Sequence, residues 1–216
     1  MNLPKVLFNN YKLSFLFIFL VKLIFLINYY FVDDAFIIFR TAYNFGNYYE
    51  YSYNLGEKFS GVTSWLYGGF VSLLSLFFNN NFIKIVTLTN TILSILSSLF
   101  IYLIFIDINK EKKNYKNYIF LLLIFINPSI TSIGTIGLET SFVVFFISLF
   151  FYTYYFEKNS FYIFIFGILI ILTRIELASL ILIFLFSNLF KREKKIKLLS
   201  YIIIFGISLN LYGSYL

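Results

Sequence analysis

FVDDAFIIFRTAYNFGNYYEYSYNLGEKFSGVTSWLYGG, residues 31–69, places two adjacent carboxylates, Asp33 and Asp34, at the end of a long apolar run and follows them with an acidic, tyrosine-rich loop. A helix opening at Asp33 puts Arg40 about two turns later on nearly the same face. A carboxylate pair beside a cation at a membrane surface is a costly arrangement that a passive loop does not need. The stretch therefore reads as the reactive centre, and the topology of the rest of the chain is read from the side on which it emerges.

Working outward, the remaining sequence is too apolar for a soluble fold. Of 216 residues, 60% are hydrophobic and 24% aromatic, and only 12% are charged. Mean hydropathy is +0.85. Ordinary globular domains carry roughly 25% charged residues, so the composition implies an integral membrane protein. Histidine and cysteine are both absent. That excludes imidazole bases, thiol nucleophiles, disulfides and zinc sites with nitrogen or sulfur ligands, and leaves acid–base chemistry to carboxylates, Lys, Tyr or Arg.

The net charge of +7 would suggest nucleic acid in a soluble protein. Here the excess sits in short loops beside apolar runs. Lys191, Arg192, Lys194, Lys195 and Lys197 oppose only Glu193, a net +4, and residues 107–116 set four Lys against Asp107 and Glu111, a net +2. Such clusters mark the cytoplasmic side, and no nucleic-acid partner is expected. The loop through Lys58 has two cations and four acids, a net −2, as suits the outside.

The expected fold is all-α: a polytopic transmembrane helix bundle forming a single domain over 1–216. An apolar run of about 20 residues up to Val32 forms a retained first span, its N terminus cytoplasmic. Lys22, inside it, snorkels or meets a lipid phosphate. The first external loop covers 32–60. Residues 61–78 are apolar enough to span, but spanning would strand 110–116 outside, so they are read as a juxtamembrane helix on the outer interface. The run 82–106 then crosses inward and 119–133 returns, with Asn127-Pro128 near its end and Glu139 outside. Residues 141–156 cross inward to a turn at Glu157-Lys158-Asn159. One helix over 161–190 would be about 45 Å long against a core of about 30 Å, and would put 191–197 outside. Two shorter helices meeting at Arg174 and Glu176 are expected instead. The last run, 198–216, heads outward.

Four polar points thus fall on one side: Asp33 with Asp34, Arg40, Glu139, and Arg174 with Glu176. Each has a plainer reading. Arg174 and Glu176 form a mutual buried ion pair, Glu139 favours the dipole of the helix after it, and capping explains one of the twin acids but not both.

Several segments resemble the GT-C membrane glycosyltransferases, especially the group related to mycobacterial arabinofuranosyltransferases and other polyprenyl-phosphate-sugar enzymes of the mannosyltransferase and aminoarabinose transferase type. Those segments are Asp33-Asp34-Ala35-Phe36-Ile37 with Arg40, Ala42 and Asn44, then Asn54-Leu55-Gly56-Glu57 and Gly61-Val62-Thr63-Ser64. Gly137-Leu138-Glu139-Thr140 looks like a second acidic motif of that family. Leu172-Thr173-Arg174-Ile175-Glu176 is similar to its L-T-R-P-E stretch, with Ile175 in place of proline. Tyr212-Gly213-Ser214-Tyr215-Leu216 resembles a Y-G-x-x-L that members follow with P-N-T and further helices.

The resemblance implies a GT-C-like N-terminal module, with the chain expected to be truncated relative to the family after 216. It also implies transfer of a sugar from a polyprenyl phosphate to an acceptor hydroxyl at the outer face of the cytoplasmic membrane, with inversion. On that reading Asp33 is the base and Asp34 orients base or acceptor. Arg40 and Arg174 bind the donor phosphate, since guanidinium matches phosphate oxygens, and Glu139 and Glu176 support the substrate. No metal is expected, although Asp33, Asp34 and Glu139 could hold Mg or Mn through oxygen ligands. The expected partners are the lipid-linked sugar, a glycan or lipid acceptor, and the bilayer. The competing expectations are a polyprenyl-lipid translocase or transporter half, in which the same charges line a pathway, and an inactive remnant of a longer enzyme.

Overall fold

Asp33 and Asp34 fill the first turn of α1 (Asp33–Tyr48), which ends where Tyr49 turns to φ 58 and its N–H reaches back to the Phe45 carbonyl. The computed structural model describes residues 20, 30–109, 132–157 and 160–189, and every regular element among them is helical. The expectations for the first span and Lys22, residues 110–116, Asn127-Pro128, 191–197 and the final run lie outside the described residues.

A loop leads from α1 to α2 (Trp65–Phe78), which the Ser64 hydroxyl caps by accepting from the Tyr67 amide. A 3₁₀ turn, Asn79–Asn81, precedes α3 (Phe82–Asn109). The helical run Trp65–Phe105 is the one stretch among the described residues long and apolar enough to cross a membrane. It is not one rod, because Asn79 takes φ 44 and breaks it. The 14 residues of α2 extend about 21 Å and the 28 of α3 about 42 Å, so α3 alone has membrane-spanning length.

Beside Phe82, Val86, Ile95 and Tyr102, the buried face of α3 carries a row of small polar residues. Thr87, Asn90, Thr91, Ser94, Ser97 and Ser98 are buried, while Leu88, Ile92, Ile101 and Ile108 are exposed. Four of these buried hydroxyls are satisfied within the helix: Thr87, Thr91, Ser97 and Ser98 each donate to the carbonyl four residues earlier, at 2.7–2.9 Å. Small polar residues inward and aliphatic side chains outward are what close helix packing in lipid selects.

The next helix is α4 (Thr140–Tyr152), extended by a π-helical segment, Thr153–Glu157. Gly134 lies against the Thr91 backbone, and the Phe100 ring meets Phe145 at 6.1 Å and Tyr152 at 5.0 Å. Contacts that ascend both helices together mean that α3 and α4 run in the same direction.

Helix α5 (Ser160–Thr173) runs back along α4, and the chain then breaks. Arg174 is extended at φ −150, a 3₁₀ turn covers Ile175–Leu177, and α6 (Ala178–Leu189) follows. Phe184 packs on Phe150, Phe151 and Tyr154, at 5.4, 5.8 and 4.5 Å, far along α4 from Glu139. Helix α6 therefore folds back rather than continuing α5, and 160–189 is a broken pair, as expected.

Two apolar clusters hold these helices. One joins Phe150, Ile163, Ile170, Ile171 and Ile181 of α4–α6, and the other joins Ala35, Phe39, Tyr67, Val71, Phe82, Val86 and Phe142 of α1–α4. Phe146 touches both, which makes α4 the shared wall.

Candidate functional site

The break after α5 delivers Arg174 to the start of α4. Its Nε and Nη2 both donate to Oε1 of Glu139, at 2.7 and 2.6 Å. Glu139 is the N-cap residue of α4, yet its side chain caps nothing, and its backbone carbonyl accepts from Val143 instead. The Glu139 side chain is 5% exposed, whereas 49% of the Arg174 side chain remains accessible. A buried carboxylate without a counter-charge would cost several kcal/mol, so the pair is what makes Glu139 tolerable there. Oε2 of Glu139 has no hydrogen-bond partner among the described residues, and the outward side of the guanidinium is open.

The start of α1 is fastened to the same turn. The Val32 amide donates to the Ile136 carbonyl at 3.3 Å. Gly137 takes φ 82, and a Cβ there would collide with Ala35, Phe31 and Phe39. Asp33 and Glu139 thus each lie two residues from a point where the two segments touch. Asp33 and Asp34 are exposed and, among the described residues, form no hydrogen bond or ion pair. The N-cap of α1 is Val32, so neither acid caps by side chain. Both stand at the positive end of the helix dipole.

Arg40 lies on α1 but is turned to the loop. Its Nη2 donates to Oδ1 of Asn54 at 2.8 Å and its guanidinium sits 4.4 Å from the centre of the Tyr53 ring. Asn54 in turn donates to Glu57 at 3.0 Å. The expected carboxylate–cation grouping of Asp33, Asp34 and Arg40 is therefore not made as an ion pair, because Asn54 and Tyr53 supply Arg40's partners. Glu50 ties the loop's far side, accepting from Ser52 at 2.9 Å and from the Gly56 amide at 2.6 Å. Burial pushes the Tyr51 phenol up to about 12.

Glu176 is exposed in the 3₁₀ turn. The mutual Arg174–Glu176 pair does not form. Two residues apart across a helix break, the side chains diverge, and Arg174 finds Glu139 instead. No group of three or more acidic side chains converges among the described residues.

Sequence reasoning missed Tyr67 and Asn90, both wholly buried beside this turn. The Tyr67 hydroxyl donates to the Gly137 carbonyl at 2.9 Å and accepts from Nδ2 of Asn90 at 2.8 Å. An asparagine inside an apolar run was the available signal, since an amide in hydrocarbon needs partners. No family model, curated protein or solved structure significantly matches this chain.

Proposed function

We propose that the chain is a multi-pass membrane protein whose outer end carries a glycosyl-transfer site of the GT-C type, acting on a polyprenyl-phosphate sugar at the outer face of the cytoplasmic membrane. The membrane reading is supported by the small polar residues buried along α3 with aliphatic side chains exposed, and by a composition that a water-soluble fold could not hide. With α3 and α4 crossing inward, the Glu139–Arg174 pair and the start of α1 lie on the outer side. The helix α2, about 21 Å long, then runs along the interface in the first external loop.

The observation that carries the transferase reading is an open guanidinium, anchored by a buried carboxylate, near a helix start bearing two carboxylates that have no partner among the described residues. The proposed step needs both charges. An acceptor hydroxyl oxygen attacks the anomeric carbon from the face opposite the phosphate, and its proton passes to Asp33. The bond from carbon to phosphate oxygen breaks, its electron pair leaving with the phosphate toward Arg174, and the anomeric configuration inverts. Asp34 orients the base or the acceptor. Arg174 is the stronger candidate for the phosphate, because it sits at the turn to which the start of α1 is fastened with half of its side chain accessible, whereas Arg40 is turned to the loop, toward Asn54 and Tyr53. Glu176, exposed near Arg174, is placed to meet the substrate. The test is transfer of radiolabelled sugar from polyprenyl phosphate by the purified protein in lipid, wild type against Asp33→Asn. Undiminished turnover in the variant overturns the base assignment.

A further inference from the structure

The Gly137 turn leads within two residues to Glu139 at the start of α4. It is held from outside its own segment. Tyr67, on α2, contributes the hydroxyl that fixes the Gly137 carbonyl, and Asn90, on α3, fixes that hydroxyl and approaches the Leu138 carbonyl at 3.5 Å. Phe142 packs its ring on Tyr67 at 5.2 Å, so the phenol is fixed at its ring as well as its oxygen. For packing alone this corner would do better with apolar side chains. Oδ1 of Asn90 and Oγ of Ser141 are buried without a partner among the described residues, an arrangement that opposes folding.

We propose that Tyr67 and Asn90 are a positioning pair. They hold the Gly137 carbonyl so that the Glu139 carboxylate meets Arg174 with the guanidinium's outer side free, and they thereby make the α2 segment of the first loop part of the charged site. The catalytic consequence rests on the transferase reading, but the positioning itself does not.

The experiment uses the full chain in detergent and the arginine reagent phenylglyoxal, with modification of Arg174 followed by mass spectrometry. Glu139→Gln, which weakens the ion pair directly, sets the upper rate. Tyr67→Phe keeps the ring and removes the hydroxyl. It should raise Arg174 modification severalfold, toward the Glu139→Gln value, without a matching loss of melting temperature. In the transfer assay it should lower kcat about tenfold and leave KM for the lipid donor within about twofold. Asn90→Leu, of similar volume, should act in the same direction, and the double variant should be no worse than the more affected single. Wild-type reactivity of Arg174 in both Tyr67→Phe and Asn90→Leu, while Glu139→Gln reacts faster, overturns the proposal. If wild type transfers no sugar, the transferase reading falls and the phenylglyoxal result still decides the pair.

Discussion

Glu139 and the Asp33–Asp34 pair are acids at the same end of the helices, fastened to one turn and treated oppositely by the fold. Glu139 is buried to 3% exposure and bound by two nitrogens of Arg174, whereas Asp33 and Asp34 are exposed and have no partner among the described residues. The first arrangement consumes a charge to fix geometry. The second leaves charge available for something that arrives. The difference separates an acid that the fold has spent on its own structure from acids it leaves open, and each half can be attacked on its own.

The largest effect should come from the free acids. Asp33→Asn is expected to reduce sugar transfer about 10²–10⁴-fold, the usual worth of a general base, and to leave unfolding within about 0.5 kcal/mol of wild type. Radiolabel transfer and a thermal melt on one preparation check both halves. A large drop in stability would place Asp33 with Glu139 as a structural acid. Arg174→Gln should do the reverse in the melt, destabilising by about 1–3 kcal/mol because it strips a buried carboxylate of its partner. A matching melt for wild type and Arg174→Gln would mean that Glu139 is solvated.

Gly137→Ala sharpens the link between the halves. It adds a Cβ at φ 82 against Ala35, Phe31 and Phe39, and should cost about 1–3 kcal/mol while lowering transfer through both acids. Arg40→Lys should matter less. Losing a planar cation over Tyr53 is worth about 0.5–1 kcal/mol at an exposed site, and donor KM should stay close to wild type if Asn54, not phosphate, is the resident partner. A severalfold rise in KM would return Arg40 to the phosphate site.

The last effect is absent at neutral pH and confined to alkali. Tyr51 titrates near 12 in the folded protein against an ordinary 10, so folding favours its neutral form. The stabilisation is complete below pH 10 and is lost as pH rises toward 12. Stability measured from pH 9 to 12 should fall less steeply in Tyr51→Phe.

The parts of this arrangement that were legible in the sequence are those that charge writes into an apolar chain. Arg174 in mid-run, with 30 residues too long for one crossing, marked the break between α5 and α6. The break forms with Ile175 where the resembling motif has proline, because an extended Arg174 gains the Glu139 carboxylate. The twin acids likewise marked the start of α1. Partner choice was not legible. Arg174 had an acid two residues away and took one 35 residues away, and Arg40 took an asparagine 14 residues on, because helix breaks and loop closure decide which side chains can meet. Tyr67 was hidden among 19 tyrosines that composition alone accounts for.

The Thr87, Thr89, Thr91, Ser97 and Ser98 hydroxyls of α3, each bonded to the helix's own backbone, give that helix a degree of independence. It brings its polar partners with it and can enter lipid before any neighbour arrives, whereas the Asn90 amide is left wanting until Tyr67 and the 137–138 turn dock. Early insertion of α3 with late assembly around Asn90 is the order this predicts. An isolated 82–109 segment that failed to insert, but did so as Asn90→Leu, would put the amide's demand ahead of assembly.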